Sequence, residues 1–291
     1  MKRYYLLVLV ALILGAMASD TSAKTPRKRH ANARTTQTRS AAKLAEKLFE
    51  IDVQPTIESQ LESQAKITQL LTDYGGKTGV NGAIKALKRH AEKISSGSTL
   101  NMIESIYIDA TIHHYQSTTL FKKMRENSAI NAAMDSEMLS WLKLKDILQD
   151  IIAQQAYVET WGGSAARTAS ASGFCQLEEQ RHADIKHLAA LKPVNEKKET
   201  PDGFDALAQL MARNIKDNMP AFDNEALEYD GDNYSSTYKD LSDNVAQITQ
   251  YIQTWIEARK QLSACFDNPA DVYYATDSFV KALCEITKGG Y

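Results

Sequence analysis

Residues 136–160 read SEMLSWLKLKDILQDIIAQQAYVET, and this stretch decides the fold. On a helical wheel at about 100° per residue, its large apolar side chains cover more than half of the circumference. A helix with so wide an apolar arc has to pack against several neighbours. We therefore predict that it is the central helix of a bundle, with these core residues: Met138, Trp141, Leu142, Leu144, Ile147, Leu148, Ile151, Ile152 and Val158.

The chain carries a second, weaker version of this pattern. The two stretches are Trp141-Leu-Lys-Leu-Lys145-Asp146 and Trp255-Ile-Glu-Ala-Arg259-Lys260. Apolar residues spaced three and four apart lead into the second tryptophan, and no run of alternating β-branched residues occurs in the sequence. We predict an all-α fold of long antiparallel helices in bundles, built from two related modules. The second apolar face comprises Leu241, Val245, Ile248, Ile252, Trp255, Ile256 and Leu262.

The amino terminus has the pattern of a secretory signal peptide. Lys2 and Arg3 precede a short apolar run that ends in small residues, with cleavage after Ala18 or after Ala23. This run is about half as long as the roughly 20 apolar residues that a membrane anchor needs. No cysteine follows it for lipid attachment. We predict a soluble protein, exported to the periplasm or secreted, without a transmembrane segment in its mature form.

The composition of the chain after the signal peptide predicts a leader and two helical regions joined by a linker. Residues 24–39 hold six basic and no acidic side chains, and they lack the apolar residues that a folded core needs, so we predict a disordered basic leader. The polar stretch Pro193–Asp202 then predicts a linker between two helical regions. We assign residues 40–193 to a helical domain and residues 203–291 to a smaller acidic helical module.

Negative charge dominates the predicted folded part. Beyond residue 39 the chain holds 26 basic and 35 acidic side chains, and eight acids between residues 217 and 243 stand against the single Lys239. Such a field repels nucleic acid and attracts cationic partners, although a solvated connection between helices explains the same composition. With Tyr229, Tyr234 and Tyr238, five carboxylates form our candidate protein-binding surface: Asp223, Glu225, Glu228, Asp230 and Asp232.

Two basic residues fall inside the predicted apolar arcs. Lys145 and Arg259 each follow a tryptophan by four residues, which places them on the buried side of their helices. A desolvated cation costs several kcal/mol unless it is paired. Either each meets a carboxylate from a neighbouring helix, or its stem lies along the indole while its charge reaches water. We favour a structural role over a ligand-binding role.

Three cysteines in an exported chain leave at least one without an internal partner. Cys265 and Cys284 are separated by enough residues for a turn and a short antiparallel helix, so we predict a disulfide between them. Closing a loop of this size contributes on the order of 3 kcal/mol in the chain-entropy estimate. We interpret Cys175 as a buried thiol and not as a reactive one.

These residues resemble the LprI-type lysozyme-inhibitor domain, a small secreted helical module of bacterial envelope proteins. The resemblance covers about residues 105–191 and runs through Tyr115, Trp141, Lys145, Asp146, Gly162, Gly163, Ser164, Cys175 and Arg181. A fainter copy runs through Tyr238, Trp255, Arg259, Cys265 and Cys284. The first copy lacks the family's earlier cysteine, and Lys260 stands where the family has aspartate. The resemblance implies a non-catalytic envelope domain, with lysozyme inhibition established in few members.

No stretch of the sequence has the residues of an active site. Glu179-Gln-Arg-His182 fits one half of a di-iron motif, but no second helix offers the other half. We therefore predict no catalytic residue, no metal and no cofactor. The preferred function is an exported binding protein that inhibits a lysozyme-like muramidase. The alternative is a structural or adaptor protein that binds another envelope protein or a glycan.

Overall fold

The structure, a computed structural model, describes residues 41–289. The predicted signal peptide (1–23) and basic leader (24–39) lie outside these residues. The described part is built from helices, as predicted: α1 (Ile57–Gly75), α2 (Gly79–Ile94), α3 (Thr99–Arg125), α4 (Asn131–Thr160), α5 (Gly163–Ala189), α6 (Phe204–Asp217), α7 (Asn224–Ser263) and α8 (Pro269–Ile286). Residues 41–49 are also helical, and Gly76–Thr78 form a short 3-10 turn.

Between residues 41 and 289 the backbone forms no β-strand, so the all-α prediction is confirmed for this part of the chain. None of the described helices combines the length and the hydropathy that crossing a lipid bilayer requires.

The chain forms two compact units. The first comprises residues 41–52 and 66–108 of the described part, and the second comprises residues 53–65 and 109–289. In the first unit, α2 buries Leu87 and His90 on one face. The Nε2 atom of His90 lies 3.4 Å from Oε1 of Glu104, and the rings of Phe49 and Tyr107 meet edge to face at 6.3 Å.

The second unit is organised around α4 and α7. Every residue of the two predicted apolar faces is buried, which confirms α4 as a central helix. Helix α4 packs against α5 and α7, while α8 packs against α5, α6 and α7. Each large apolar side chain contributes about 1.5–3 kcal/mol when it is fully buried. The contact between α4 and α7 therefore supplies much of the stability of this unit.

The predicted linker at residues 193–202 lies within the second unit. The Val194 N–H donates to the carbonyl of Cys265 at 2.9 Å, and the Lys198 N–H donates to the carbonyl of Ala264 at 2.8 Å. These bonds hold the segment against the turn between α7 and α8. The observed units thus differ from the predicted division into residues 40–193 and 203–291, because α4 and α7 bury their apolar faces against each other.

The predicted disulfide is wrong in this structure, since Cys175, Cys265 and Cys284 are all free thiols. The sulfur of Cys265 lies 3.7 Å from the carbonyl oxygen of Gln261, one turn earlier in α7. Both Cys265 and Cys284 are buried in the core. The hairpin of α7 and α8 is closed by apolar packing of these helices and not by a covalent bond.

We expect all three cysteines to react with a thiol reagent once the protein is denatured without reductant. The native protein should react slowly at about pH 8, because thiolate is the reactive form and burial raises the pKa of Cys175 to about 12 and that of Cys284 to about 11. The measurement is a colorimetric thiol count with and without denaturant, with Cys284→Ser as a control that should lose one thiol. A single reactive thiol in the denatured protein would contradict the structure.

Candidate functional site

The two tryptophans of the repeated pattern meet in the core of the second unit. The ring centroids of Trp141 and Trp255 lie 6.0 Å apart. Phe279 from α8 lies 5.2 Å from the first ring and 5.6 Å from the second. Tilted and edge-to-face rings at such distances attract one another beyond their burial. The two copies of the pattern therefore build one shared core.

Four buried charges, which we call the charge tetrad, lie beside these rings: Glu137 from α4, Arg181 and Asp184 from α5, and Arg259 from α7. Arg181 donates to both carboxylate oxygens of Glu137, at 2.8 and 2.7 Å. Arg181 also donates to Asp184 at 3.0 Å, and Arg259 donates to the same Asp184 oxygen. The Nε atom of Arg259 lies 2.9 Å from Oε1 of Glu137, which also accepts the Trp255 indole N–H at 2.9 Å. The tetrad thus joins three helices.

Each arginine of the tetrad also lies over a tryptophan. The guanidinium carbon of Arg181 is 4.8 Å from the ring centroid of Trp141, and that of Arg259 is 5.3 Å from the ring centroid of Trp255. A guanidinium group over an indole face is attracted by the ring quadrupole. The core therefore contains two combinations of tryptophan, arginine and carboxylate. Of the two arrangements left open for Arg259, the structure shows the one in which it meets a carboxylate from a neighbouring helix.

Burial opposes every charge in the tetrad, so the partners decide the ionisation. Burial acts to raise the pKa of Glu137, but the positive charges of Arg181 and Arg259 lower it to about 2. Burial raises the pKa of Asp184, and the attraction of Arg259 and Arg181 offsets only part of that effect. Desolvation acts to lower the pKa of Arg259, whereas Asp184 and Glu137 raise it. Of the two carboxyl groups in the tetrad, Glu137 is therefore the one whose ionised form is favoured more strongly.

The tetrad is not fully satisfied by hydrogen bonds. Among the described residues, four of its atoms have no hydrogen-bond partner: Nε of Arg181, Oδ1 of Asp184, and Nε and Nη1 of Arg259, of which Nε of Arg259 is in ionic contact with Glu137. A buried polar atom without a partner costs about 1–3 kcal/mol, and the desolvation of buried ion pairs offsets much of their attraction. We infer that the tetrad selects which helices meet, whereas apolar burial provides most of the stability.

Lys145 also meets a carboxylate from a neighbouring helix, as one of the two predicted alternatives required. Its Nζ donates to Oε1 of Glu178 on α5, and Nδ1 of His114 lies 3.4 Å from the other oxygen of the same carboxylate. Burial acts to raise the pKa of Glu178, but Lys145 and His114 hold it well below its usual range. The arginine over Trp141 is Arg181 from α5, so the two copies of the pattern pair their tryptophans differently.

Cys175 has the surroundings of an unreactive thiol. Burial, together with the negative charges of Asp109 and two glutamates of α5, raises its pKa to about 12, so it stays protonated. Nearby in sequence, His182 faces His113, with their Nδ1 atoms 3.3 Å apart. Within residues 41–289 no three His, Cys, Asp or Glu side chains are arranged to hold a metal ion.

The structure brings only part of the predicted motif together. Arg181 and Arg259 belong to the tetrad, and Trp141 and Trp255 lie beside it. The other motif residues have separate positions: Tyr115 is buried in α3, Asp146 is half-buried in α4, Gly162, Gly163 and Ser164 lie at the start of α5, and Tyr238 is half-buried in α7. The motif is therefore mainly structural in this fold.

Sequence reasoning missed the acids that complete this core. Glu137 precedes Trp141 by four residues, and Asp184 follows Arg181 by three, so each shares a helix face with a buried residue. That spacing was the only sequence signal that either acid is buried. It could be interpreted only together with a buried cation on another helix. Glu178 follows the same logic, since its contacts with Lys145 and His114 explain why it is buried.

A groove of about 430 Å³ lies between α4 and α7. Its hydroxyl and amide groups are largely engaged within their own helices. Ser140 donates to the carbonyl of Ser136 at 2.9 Å, and Gln261 donates to Glu257 at 3.1 Å. This groove offers little unused hydrogen-bonding capacity, so a stronger candidate for binding lies elsewhere on the second unit.

The acidic segment at residues 217–243 has uncompensated charge. None of its eight carboxylates forms a salt bridge with another described residue, whereas buried acids such as Glu137 and Glu178 do. Asp223 caps α7 by accepting the Glu225 N–H at 2.9 Å, and Asp230 accepts the hydroxyl of a tyrosine on α4. The remaining predicted surface acids, Glu225, Glu228 and Asp232, are exposed.

Three aromatic side chains are exposed close to these acids in sequence or in space. Trp161 is 38% exposed, Phe222 is 40% exposed and Tyr229 is 77% exposed. The other two predicted surface tyrosines are less accessible. Tyr234 is fully buried, with its ring against Phe222 and its hydroxyl accepting the Asp223 N–H at 2.9 Å, and Tyr238 is half-buried. We define the acidic–aromatic rim as Trp161, Phe222, Tyr229, Asp223, Glu225, Glu228, Asp230 and Asp232.

Trp161 has a backbone conformation that large residues seldom adopt. It ends α4 with φ 55° and ψ 34°, in the left-handed region where glycine is the usual residue. For a residue with a Cβ atom this conformation costs roughly 1–2 kcal/mol. The next residue, Gly162, has φ 83°, and a Cβ there would lie 2.9 Å from the ring of Tyr157. The sequence thus places its bulky residue at the strained position and glycine after it.

The exposed tryptophan lies beside a kink in α7. Gly231 interrupts that helix with φ 54° and ψ −122°. The Tyr157 hydroxyl donates to Asp230, and the rings of Trp161 and Tyr229 lie 6.1 Å apart with a tilt of 39°. Two irregular points of the backbone, the end of α4 and the kink of α7, therefore hold this aromatic pair at the surface.

No protein-family model, curated protein or solved structure matches this chain. We therefore infer function from the contacts, burial and charge of its own residues.

Replacing Glu137 by glutamine should lower the free energy of unfolding by about 3–5 kcal/mol, because it leaves two buried arginines with one carboxylate between them. Asp135→Asn is the matched control on the same helix, since it breaks the exposed pair of Asp135 and Arg125 and should cost less than about 1 kcal/mol. Urea denaturation followed by circular dichroism measures both. Equal losses for the two variants would contradict the role given to the tetrad.

The same variant should change the dependence of stability on pH. Because the pKa of Glu137 falls from 4.5 to about 2 on folding, its contribution is complete above pH 4.5 and is lost as the pH falls towards 2. Between about pH 5 and pH 2 the unmodified protein should lose roughly 3 kcal/mol more than Glu137→Gln. Glu178 titrates in both proteins, so its effect cancels in the comparison. Parallel stability curves would refute the assignment.

Proposed function

We propose that this protein is an exported binding protein, not an enzyme, and that it recognises a cationic protein through the acidic–aromatic rim. The proposal is supported first by the predicted signal peptide. It is supported further by the core, where the strongest concentration of charged groups is neutral overall and fully buried. The tetrad thus holds the helices together and is inaccessible to a partner.

The observation that carries the proposal is the coincidence of unpaired carboxylates and exposed aromatic rings. Several acids elsewhere in the second unit, among them Glu137, Glu178 and Asp277, pair with lysine or arginine, but no carboxylate of the rim pairs with a described lysine or arginine. Unpaired charge of one sign accelerates association with a partner of the opposite sign, and this attraction weakens as the salt concentration rises. Exposed Trp and Tyr side chains are the types that carry most of the binding energy in protein interfaces.

A lysozyme-like muramidase is the partner that we propose. The resemblance of Trp141, Lys145 and Arg181 to the LprI-type motif supports this choice, because lysozyme inhibition is established for some members of that family. The negative rim supports it on independent grounds, since it complements a cationic enzyme. The rim includes residues from both central helices, because Trp161 ends α4 while Tyr229 lies in α7.

The test is a titration of purified residues 24–291 into a lysozyme assay on peptidoglycan, at low and at physiological ionic strength. We expect saturable inhibition at micromolar concentration that weakens as the Debye length shortens from about 30 Å to about 8 Å. Inhibition that is insensitive to salt would contradict the electrostatic mechanism. Absence of inhibition at both salt concentrations would contradict the choice of partner and favour an adaptor that binds another envelope protein.

Two variants with the same change in net charge separate the rim from general electrostatics. The rim variant is Asp223→Asn, Glu225→Gln, Glu228→Gln and Asp232→Asn. The control variant neutralises four exposed acids outside the rim: Glu196→Gln, Glu199→Gln, Asp202→Asn and Asp205→Asn. We expect the rim variant to weaken inhibition at least tenfold and the control to weaken it less than about threefold. Equal effects would show that net charge alone is responsible.

A further inference from the structure

Trp161 differs from the other two tryptophans in what surrounds it. Trp141 and Trp255 are buried, and each has an arginine over its ring and a carboxylate that holds that arginine. Trp161 is 38% exposed and lies near the ring of Tyr229, which Glu228 and Asp230 of the rim flank in sequence, but no cation lies over the Trp161 ring among the described residues. Of the core combination of tryptophan, arginine and carboxylate, the tryptophan and the carboxylates are thus present at the surface.

We propose that Trp161 and Tyr229 form a binding site for an arginine side chain supplied by a basic partner protein. The inference rests on the proposed function in one respect, that the partner is cationic. It adds the group that is recognised and the residues that hold it. The guanidinium plane stacks on the indole, and its N–H groups donate to carboxylates of the rim, as Arg181 and Arg259 do in the core.

The backbone supports this assignment. A helix that ends in the left-handed conformation usually has glycine at that position, and this chain has glycine at the next two positions instead. Strained backbone at an exposed aromatic residue is a feature of binding sites, where the strain holds a side chain in place. The conformation turns the Trp161 ring towards Tyr229, at a centroid distance of 6.1 Å.

The charges near the aromatic pair suit an arginine. Glu228 and Asp232 are exposed, close in sequence to Tyr229, and they form no salt bridge within residues 41–289. Asp230 is held in place by the Tyr157 hydroxyl and by the Asn233 amide at 3.3 Å. Arginine fits such a site better than lysine, because its planar fork both stacks on a ring and donates to carboxylates.

The test uses the purified protein with tri-arginine amide as the probe and, as the control, tri-citrulline amide, whose side chains have the same shape but no charge. Trp161 is the most exposed of the three tryptophans, so collisional quenching of tryptophan fluorescence by acrylamide reports chiefly on its ring. We expect tri-arginine to protect this fluorescence with saturation and tri-citrulline to give no saturable protection. Equal protection by the two peptides, or none by either, would overturn the inference.

Calorimetric titration of tri-arginine then assigns the site. Trp161→Gly should weaken binding at least tenfold, and Tyr274→Ala, which removes an aromatic side chain that is 63% exposed on α8, should change it less than twofold. The thermal midpoint of Trp161→Gly should equal or exceed that of the unmodified protein, because glycine relieves the left-handed conformation. Unchanged affinity, or a large loss of thermal stability together with the weaker binding, would show that Trp161 is structural.

The two proposals fail separately. Protection by tri-arginine without inhibition of any muramidase would leave the arginine site intact and remove the proposed partner. Salt-dependent inhibition that Trp161→Gly does not weaken would keep the proposed function and overturn the arginine site.

Discussion

Glu137 accepts hydrogen bonds from Arg181 and from the Trp255 indole, and Arg259 is in ionic contact with it, all without exposure to water. An unpaired carboxylate in such a place would be too costly to keep, so α4, α5 and α7 can pack closely only in the arrangement that brings both arginines to it. That constraint sets the register of α4 against α7 and brings the two tryptophans together. It also fixes the end of α4 beside the kink of α7, where Trp161 and Tyr229 meet at the surface.

Interior and surface use the same chemical groups in different ways. Inside the second unit, each cation near an indole has its carboxylate, and the result is neutral and inaccessible. At the rim, carboxylates and aromatic rings are present without a cation from the described part of the chain. Unsatisfied attraction at a surface is what an interaction site requires, whereas the same imbalance in the core would destabilise the fold. This imbalance is why we propose the rim as the binding surface.

Much of the fold could be predicted because it depends on local periodicity. The apolar face around Leu144 and Leu148 marked α4 as a central helix. The positions of Lys145 and Arg259 inside the apolar arcs left two alternatives, and the structure shows the one with carboxylate partners. The cysteine pairing could not be predicted in this way, since loop length permits a disulfide without requiring it. The polar segment at residues 193–202 looked like a linker because its composition is that of a loop, but its backbone bonds to the turn after α7.

The sequence by itself determined the helices, their buried faces and the concentration of acids at residues 217–243, because each depends on residues within a few turns of one another. The tertiary structure decided which charges meet. Glu137 is 44 residues from Arg181 and 118 residues from Trp255, and no helical periodicity links positions so far apart. It also decided that Trp161 is exposed beside Tyr229. The left-handed conformation of Trp161 and the kink at Gly231 are 70 residues apart, and only the packing of α4 against α7 brings them together.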